Sequence, residues 1–309
     1  MTSRPLKKML SPGSVLTAVA LAGGFAQALK ALNGFKPDVV IGTGGYVSAS
    51  VLLAQAFRRG RILIHEQNVL PGRTNRWLSR FASKICVTFE DSISYFPPGK
   101  TVVTGLPIRS ELLGLPGEEE ARAALGLEPG KFTILVLGGS QGARRLNDVV
   151  AGSIPRLRAM PVQVLHQAGE RNYEEAEARR KSAGWAAYHV HAYFDDMRLA
   201  YGAADLVVCR CGASTVAEIT AVGLPAILVP YPYAYADHQR YNGEFVARNG
   251  GGIVISDADI NAELLADAVE RFLASPEKLE RMAEASRNLG KPYAARDIAA
   301  IAVEMMGDK

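Results

Sequence analysis

Short apolar runs rich in β-branched residues alternate along the chain with longer segments of helical periodicity. This alternation is typical of βαβ units that build a parallel sheet. Ten of the runs are predicted as strands, at residues 38–42, 61–65, 85–89, 101–104, 132–137, 162–166, 188–191, 206–209, 226–229 and 252–255. A polar stretch containing Pro and Gly separates the first four strands from the last six. The pattern therefore predicts an α/β fold with two doubly wound, Rossmann-like domains.

The two predicted domains are unequal. They cover residues 1–115 and 116–309, and the last helix could pack back on the first domain. A doubly wound domain normally opens with a strand and a Gly-rich turn, whereas residues 1–37 supply a basic cluster and an apolar helix. We therefore expect a partial first domain that lacks its initial strands. Ligands of such folds bind beyond the carboxyl ends of the strands, so the site is expected in a cleft between the domains.

Composition narrows the class of protein. The 309 residues exceed what a single core usually organises, and the 48% hydrophobic content supports a packed globular chain. The net charge of +4 calls for no nucleic acid and is compatible with an anionic membrane surface. Three cysteines are too few and too badly spaced for a disulfide framework or a zinc site. The longest apolar stretch, residues 15–25, is shorter than the roughly 20 residues that span a bilayer.

Two Gly-containing turns follow strands of the second predicted domain. The segment TILVLGGSQGARRLNDVV, residues 133–150, joins a strand to a helix through a turn whose amides, with the Ser140 hydroxyl, suit a phosphate. A tight turn that binds no ligand would have the same sequence pattern. In DLVVCRCGASTVAEITAV, Gly212 turns the chain and Ser214 and Thr215 open a helix that carries Glu218. Such a carboxylate can accept hydrogen bonds from vicinal ribose hydroxyls, although a Ser or Thr followed by Glu also makes an ordinary capping box.

The next polar stretch, PYPYAYADHQRYNGEFV, carries Asp237, His238, Gln239 and Asn242. Amide and carboxylate side chains can read sugar hydroxyls, which is what a hexose pocket requires. Asp237 could instead simply cap a helix, whereas the sequence offers no such structural explanation for Gln239.

The first predicted domain repeats the strand, Gly-Gly turn and helix at Gly44 and Gly45. The segment RILIHEQNVLPGRTNRW then places His65, Glu66 and two further polar residues just beyond a strand end, where ligands bind in open α/β sheets. A buried, hydrogen-bonded structural role remains the alternative for His65.

Taken together, the ordered motifs IGTGGYVS, HEQN, VTGLPIR, GGSQGA, YFDDM, GASTVAE and DHQRYN resemble those of the MurG family over nearly the whole chain. The resemblance implies a GT-B fold and an inverting transfer of N-acetylglucosamine from UDP-N-acetylglucosamine to undecaprenyl-diphospho-N-acetylmuramoyl-pentapeptide. It implies no cofactor and no metal. It also implies a peripheral enzyme of peptidoglycan synthesis at the cytoplasmic face of the bacterial plasma membrane, bound to the inner-leaflet surface.

The resemblance assigns roles to individual positions. The Phe194 backbone would contact the uracil, and Ser140 and the turn at residues 213–215 would bind the diphosphate. Glu218 would bind the ribose and Gln239 the sugar. Asn68 and Arg109 would contribute from across the cleft. The full set carried over for the donor is Asn68, Arg109, Ser140, Phe194, Ala213, Ser214, Thr215, Val216, Ala217, Glu218 and Gln239. The acceptor-side set is Gly44, Gly45, Tyr46, His65 and Glu66.

Two features qualify the resemblance. The family's opening GGTGGH turn, with its proposed catalytic histidine, matches no segment of this chain, so we name no catalytic base for the attack by the acceptor's 4-hydroxyl. The helix at residues 14–33 would present a membrane-facing patch through Val15, Val19, Phe25, Leu29 and Leu32, flanked by lysines that include Lys7 and Lys8. A helix simply packed on the sheet is the alternative.

The sequence is also compatible with other functions. The chain could be a donor-binding module, inactive or completed by a partner, or a GT-B transferase acting on another membrane lipid such as diacylglycerol. A nicotinamide dehydrogenase is disfavoured, because no GxGxxG follows a strand with an acidic residue at ribose spacing.

Overall fold

A computed structural model describes residues 12–139 and 142–307 of the chain, and the side chains from Gly23 onwards within those ranges. All ten predicted strands are present, each within two residues of its predicted ends. They are β1 Val39–Gly42, β2 Arg61–Glu66, β3 Lys84–Val87, β4 Thr101–Val103, β5 Phe132–Leu137, β6 Val162–Gln167, β7 Tyr188–His191, β8 Leu206–Cys209, β9 Ala226–Leu228 and β10 Gly252–Val254.

The α-helices of the described residues alternate with these strands. They are α1 Pro12–Phe35, α2 Gly45–Phe57, α3 Arg73–Leu78, α4 Glu118–Ala124, α5 Arg144–Leu157, α6 Tyr173–Ala183, α7 Met197–Ala203, α8 Ala213–Val222, α9 His238–Arg248, α10 Ala262–Leu273, α11 Pro276–Leu289 and α12 Ala294–Gly307. The alternation confirms the predicted α/β class, with two parallel sheets.

The first compact unit contains the described residues up to Gln67, Pro71–Thr104 and the chain from Arg296 onwards. Its four strands pair in parallel in the order β1-β2-β3-β4. Successive side chains of a strand point to opposite faces of the sheet, so Ile62 and Ile64 pack with α2 and α3 while Leu63 packs with Ile298 and Met305 of α12. Helices therefore cover both faces, which explains why β2 is a continuous apolar run.

Burial also explains the cysteines. Cys86, in β3, packs beside Leu63, and burial raises the pKa of its thiol to about 11. Cys209 and Cys211 are buried as well, and burial raises the pKa of both thiols. Thiols with raised pKa values stay protonated at neutral pH and are poor nucleophiles.

The described part of α1 packs on α2. Leu32 is buried, and Phe25 and Leu29 are partly buried in a cluster that also contains Ala54. Burial of Leu32 fits the packed-helix alternative, whereas the membrane-facing patch, in which Phe25 and Leu29 are only partly buried, stays a prediction. Val15, Val19, Lys7 and Lys8 lie outside the residues whose side chains are described. Nowhere in the described chain is a helix both long and apolar enough to cross a membrane.

The second compact unit contains Asn68–Leu70 and Gly105–Ala295. Its six parallel strands lie in the order β10-β9-β8-β5-β6-β7. From β5 the chain moves outwards through β6 to β7, and it then returns to add β8 on the other side of β5. The topological switch point, where ligands bind in open α/β sheets, therefore lies between β5 and β8. Along the chain, the boundary between the two compact units lies after Thr104. The domain boundary predicted between residues 115 and 116 stays a prediction.

A buried polar chain links three elements of this unit. The Asn147 Nδ2 group donates to the Ala168 carbonyl at 3.0 Å, so Asn147 Oδ1 faces His166 Nε2 at 3.0 Å. That oxygen can only accept, which places the imidazole proton on Nε2 and leaves Nδ1 to accept from the Tyr188 hydroxyl at 2.8 Å. Burial lowers the pKa of His166 to about 3.

We expect this histidine to make the protein acid-sensitive. The unfolded chain takes up a proton near pH 6.5 while the folded chain resists it, so the stability is complete above pH 6.5 and is lost as the pH falls towards 3. The loss is about 1.4 kcal/mol per pH unit, or about 2 kcal/mol by pH 5. Free energies of unfolding measured in urea at pH 7.5 and pH 5 should therefore diverge less in His166→Gln than in the parent. A packing defect would lower both values equally, and an unchanged difference would contradict the assignment.

Candidate functional site

Two turns of the second unit meet at one edge of its sheet. β5 and β8 pair in parallel, with Leu137 opposite Cys209 at their carboxyl ends. The Gly-rich turn that leads to α5 and the turn that leads to α8 therefore begin side by side, at the switch point. Both helices start at this edge, so the partial positive charge of two helix N-termini is directed to the same place.

The turn after β5 requires glycine. Gly139 and Gly142 have φ values of +75° and +76°, a region that side chains disfavour. The Gly142 N–H donates to the Gly139 carbonyl at 3.0 Å, which closes the turn. A Cβ atom on Gly142 would lie 2.0 Å from Asn172 Nδ2 and 2.6 Å from the Ala168 carbonyl oxygen. Ser140 lies outside the described residues, so its predicted contact with a diphosphate stays a prediction.

The helix after β8 begins with uncapped amides. Gly212 is the N-cap residue and has no side chain to accept from the first helical N–H groups. Ser214 is exposed and Ala213 and Thr215 are half-buried at the helix mouth, while Val216 is buried. The capping-box interpretation is wrong, because a box would need Ser or Thr at the N-cap with Glu three residues later. Instead Glu218 is the sixth residue of α8.

Glu218 is held on both sides. Its side chain is 12% exposed, and its Oε2 atom accepts a hydrogen bond from the Tyr201 hydroxyl at 2.8 Å. Its Oε1 atom lies 3.7 Å from Arg109 Nε, and the Arg109 side chain is 48% exposed. We expected Arg109 and Asn68 to approach from across the cleft, but both belong to the same compact unit as Glu218. The chain leaves the first sheet at Thr104, which is earlier than the polar stretch suggests.

Gln239 has a structural role that its sequence context does not reveal. Its Oε1 atom accepts from the backbone N–H of Cys211 at 3.2 Å and from that of Tyr231 at 3.0 Å. Cys211 follows β8 and Tyr231 follows β9, so the side chain joins the exits of two neighbouring strands. Two donors on one oxygen orient the amide. Its Nε2 group donates to no acceptor among the described residues and is available to a ligand.

Asn242 is fully buried one helical turn further along α9. Its Nδ2 atom donates to Asn68 Oδ1 at 3.1 Å and to the Cys211 carbonyl at 3.2 Å, and its Oδ1 atom accepts from the Val69 N–H. Asn242 therefore positions Asn68 and the turn after β8 together. The sequence pattern grouped Asn242 with the sugar-reading residues, whereas burial gives it this supporting role.

The loop before Gln239 is strained. Ala236 and Asp237 have φ values of +50° and +59°, which cost non-glycine residues about 1–3 kcal/mol each. Asp237 occupies the N-cap position of α9, but its side chain makes no capping hydrogen bond and pairs with Arg240 instead. The capping alternative for Asp237 is therefore wrong. Strain of this kind persists only where the surrounding structure enforces it.

Phe194 lies on the loop after β7, at the same edge of the sheet. Its ring is buried and packs on His191, with 4.7 Å between ring centroids. The side chain therefore points into the protein, which is compatible with the predicted use of its main chain. Two residues later, Asp196 caps α7 by accepting from the Arg198 N–H.

Arg210 lies at the candidate site, although none of the ordered sequence motifs includes it. It follows β8 directly, its side chain is 15% exposed, and it pairs with Asp257 at 2.6 Å. Asp257 also lies 3.6 Å from Arg145, the second residue of α5. Two guanidinium groups facing one carboxylate leave a net positive charge beside the two helix mouths. The basic residue between Cys209 and Cys211 was the available signal, but only the sheet brings it to the switch point.

In the first unit, His65 and Glu66 organise the loop after β2. The Glu66 carboxylate is buried and accepts from the Gly72 N–H at 3.1 Å and from Asn75 Nδ2 at 2.9 Å. The buried His65 ring lies 3.2 Å from Gln67 Nε2, which also donates to the Thr43 carbonyl. These bonds give both residues a structural role, which agrees with the buried, hydrogen-bonded alternative for His65. Their contact with an acceptor stays a prediction.

The contact of Gly44 and Gly45 with the acceptor also stays a prediction. Both have positive φ values, and Gly44 is the N-cap residue of α2. Tyr46 next to them is 80% exposed, so its ring is accessible. Among the described residues, no group of three or more His, Cys, Asp or Glu side chains could hold a metal ion.

Comparison with known proteins adds to this geometry. The glycosyltransferase family 28 C-terminal domain matches residues 133–299, and the N-terminal domain of the same family matches residues 1–87. A UDP-N-acetylglucosamine--N-acetylmuramyl-(pentapeptide) pyrophosphoryl-undecaprenol N-acetylglucosamine transferase from Desulforudis audaxviator is 42% identical, over 98% of this chain and 83% of the relative. The protein of the same name from Desulforamulus reducens is 43% identical, over 89% of this chain and 76% of the relative. Among solved structures, Acinetobacter baumannii MurG superposes with a TM-score of 0.76 at 30% identity, covering 92% of this chain and 78% of that one.

The turn after β5 can be tested with two matched glycine substitutions. Both Gly139→Ala and Gly142→Ala force a side chain into positive φ, which costs about 1–2 kcal/mol. Only the Gly142 change also brings a Cβ atom against Ala168 and Asn172, since no atom lies within 4 Å of a Cβ at Gly139. We expect Gly142→Ala to lower the free energy of unfolding by about 2 kcal/mol more than Gly139→Ala does. Equal losses in urea denaturation would show that the turn is not tightly packed.

Proposed function

The chain belongs to the MurG family, within glycosyltransferase family 28, and we propose from this premise how its own residues hold the two substrates. It is a UDP-N-acetylglucosamine-dependent hexosyltransferase with the two-domain GT-B fold. It moves N-acetylglucosamine from UDP-N-acetylglucosamine to undecaprenyl-diphospho-N-acetylmuramoyl-pentapeptide in peptidoglycan synthesis.

The donor diphosphate binds at the paired ends of β5 and β8 in this proposal. The observation that carries it is the meeting of the Gly139–Gly142 turn and the α8 mouth at one sheet edge. Free N–H groups at a helix mouth bind phosphate oxygens, and the helix dipole adds attraction for the negative charge. Arg210 and Arg145 add positive charge beside the same edge. The donor-site role of Ala213, Ser214, Thr215, Val216 and Ala217 is proposed on this basis.

The two ends of the donor are read by different side chains. Glu218 would accept hydrogen bonds from the ribose hydroxyls, because its side chain is partly exposed and the Tyr201 hydroxyl uses only one of the lone pairs of its carboxylate. Gln239 would donate through Nε2 to the sugar, because its oxygen is already occupied by two backbone N–H groups. The main chain at Phe194 is proposed to meet the uracil, and Asn68 and Arg109 to complete the site from within the same unit.

Electrostatics at the helix mouth supports the chemistry. As the bond between the sugar and UDP breaks, negative charge grows on the departing diphosphate. Donors already fixed at the mouths of α5 and α8 can stabilise that charge without rearranging. Attack by the acceptor's 4-hydroxyl on the opposite face of the anomeric carbon would then invert its configuration, assisted by a general base. No residue of the described chain is assigned as that base.

A peripheral position at the cytoplasmic face of the membrane is proposed for the first unit. Trp77 and Phe81 are both more than two-fifths exposed, and their rings contact edge to face at 5.8 Å. Arg80 lies over the Trp77 ring, 5.6 Å from its centroid. Exposed aromatic rings beside arginines suit the headgroup layer of an anionic leaflet. This pair supports contact with the inner-leaflet surface better than the helix residues that the sequence suggested.

Transfer activity is tested directly with radiolabelled UDP-N-acetylglucosamine and the lipid-linked muramoyl-pentapeptide in vesicles. We expect label to pass into the muramoyl lipid and not into diacylglycerol present in the same vesicles. Glu218→Ala should lower kcat/KM by about tenfold or more, mainly through KM, because the ribose contact is made before the chemistry. Donor binding without turnover would favour the donor-binding module. Label in diacylglycerol would instead indicate a different acceptor.

Gln239→Glu separates the two roles of this side chain. A carboxylate oxygen can still accept from the Cys211 and Tyr231 N–H groups, whereas the Nε2 donor is lost. We therefore expect the affinity for UDP-N-acetylglucosamine, relative to that for UDP, to fall by about fivefold to tenfold. Isothermal titration with the two nucleotides measures this ratio, and UDP serves as the control because it has no sugar. An unchanged ratio would remove Gln239 from the sugar site.

A further inference from the structure

Tyr201 is a buried tyrosine with its hydroxyl directed at the site. The residue lies on α7, is 2% exposed, and donates to Glu218 Oε2 at 2.8 Å. Nothing in the ordered motifs marks this position, which falls between YFDDM and the turn after β8.

The helix that carries Tyr201 is fixed at both ends. Asp196 caps its first turn by accepting from the Arg198 N–H, and at its last residue the Ala203 carbonyl accepts from the buried Arg122 Nε at 3.2 Å. Met197, Ala200 and Ala203 are buried along one side. A hydroxyl on such a support has little freedom, so it can define where the Glu218 carboxylate lies.

The hydrogen bond suits both partners. A buried hydroxyl without an acceptor is costly, and Glu218 is the acceptor that Tyr201 has. Burial, followed by the neighbouring Glu218 charge, raises the pKa of Tyr201 well above its usual value, so the hydroxyl remains a donor. The bond uses one lone pair of Oε2 and restricts rotation of the carboxylate.

The second oxygen of the Glu218 carboxylate also has a neighbour. Its Oε1 atom lies 3.7 Å from Nε of Arg109, whose side chain is about half exposed, while the Glu218 side chain keeps 12% of its surface exposed. The carboxylate can accept about four hydrogen bonds, of which Tyr201 takes one. A ribose diol needs two acceptor positions at a fixed separation, and a carboxylate ordered from behind provides them.

We propose that Tyr201 is a positioning residue that orients Glu218 towards the nucleotide's ribose and so sets the preference for a ribose diol. The proposal rests on the donor site described under the proposed function and extends it to a residue behind the ligand. Its competitor is a purely structural role, in which Tyr201 only packs α7 against its neighbours.

The test compares two probes, UDP and 2′,3′-dideoxyuridine 5′-diphosphate, by isothermal titration. The parent protein should bind UDP about tenfold or more tightly than the dideoxy analogue, because the analogue lacks both hydroxyls. Tyr201→Phe keeps the ring and removes the hydrogen-bond donor. It should lower the affinity for UDP about fivefold and change the affinity for the dideoxy analogue less than about twofold. In steady-state transfer the same variant should raise KM for the donor and leave kcat nearly unchanged.

Tyr188→Phe is the matched control. Tyr188 is another fully buried tyrosine of the same unit, and its hydroxyl bonds to His166 and not to Glu218. Tyr188→Phe also loses a buried hydrogen bond, yet the ratio of its affinities for UDP and for the dideoxy analogue should stay at the parent value. Melting temperatures of both variants verify that each is folded at the temperature of titration.

The outcomes separate the proposal from its premise. If Tyr201→Phe weakens both probes equally, Tyr201 acts through packing and the proposal is overturned, while the Glu218 site stands. If the parent itself does not prefer UDP, and Glu218→Ala changes nothing, then the ribose contact fails and the proposed donor site fails with it. In a double-mutant cycle, Tyr201→Phe should have no further effect on the ratio once Glu218 is Ala. A persistent effect there would also overturn the proposal.

Discussion

Parallel pairing of β5 with β8 is the constraint on which the rest of the second unit depends. It brings two strand ends from distant parts of the chain to one edge of the sheet, each followed by a turn and a helix. A helix start leaves backbone N–H groups without partners, and two such starts together supply the donors on which the proposed diphosphate site depends. The positions of Glu218 and Arg210 follow from this pairing, because both lie on the segment that β8 leads into.

Hydrogen bonds of polar side chains next to the candidate site fix its backbone and its side chains. Gln239 joins the exits of β8 and β9, Asn242 joins the β8 exit to Asn68, and Tyr201 holds Glu218 from α7. These side chains are buried or half-buried and satisfy backbone or carboxylate groups that would otherwise be costly to bury. Strain at Ala236 and Asp237 is tolerated in the same region. The site is therefore built from a rigid backing of hydrogen bonds, with a few donors and acceptors left for the ligand.

The first unit uses a similar principle for a different purpose. Glu66 and Gln67 bind the loops after β1 and β2 to each other and to the start of α3. This arrangement presents Gly44, Gly45 and Tyr46 on a supported turn. His65, Glu66 and Gln67 at this strand end therefore organise the loop through hydrogen bonds, and the contact of His65 and Glu66 with an acceptor stays a prediction.

Much of the architecture was determined by the sequence alone. Ten strands, the parallel α/β class and the need for glycine in the turn after β5 follow from local patterns, because alternation, burial and φ preference act over a few residues. The partners of those residues could not be read in this way. Only the tertiary structure decided that Arg109 and Asn68 lie with Glu218, that Gly212 and not Ser214 caps α8, that α1 packs on α2, and that Arg210 and Tyr201 reach the site. The physical reason is that hydrogen bonds and ion pairs between residues far apart in the chain depend on which strands pair, and local sequence carries no measure of that distance.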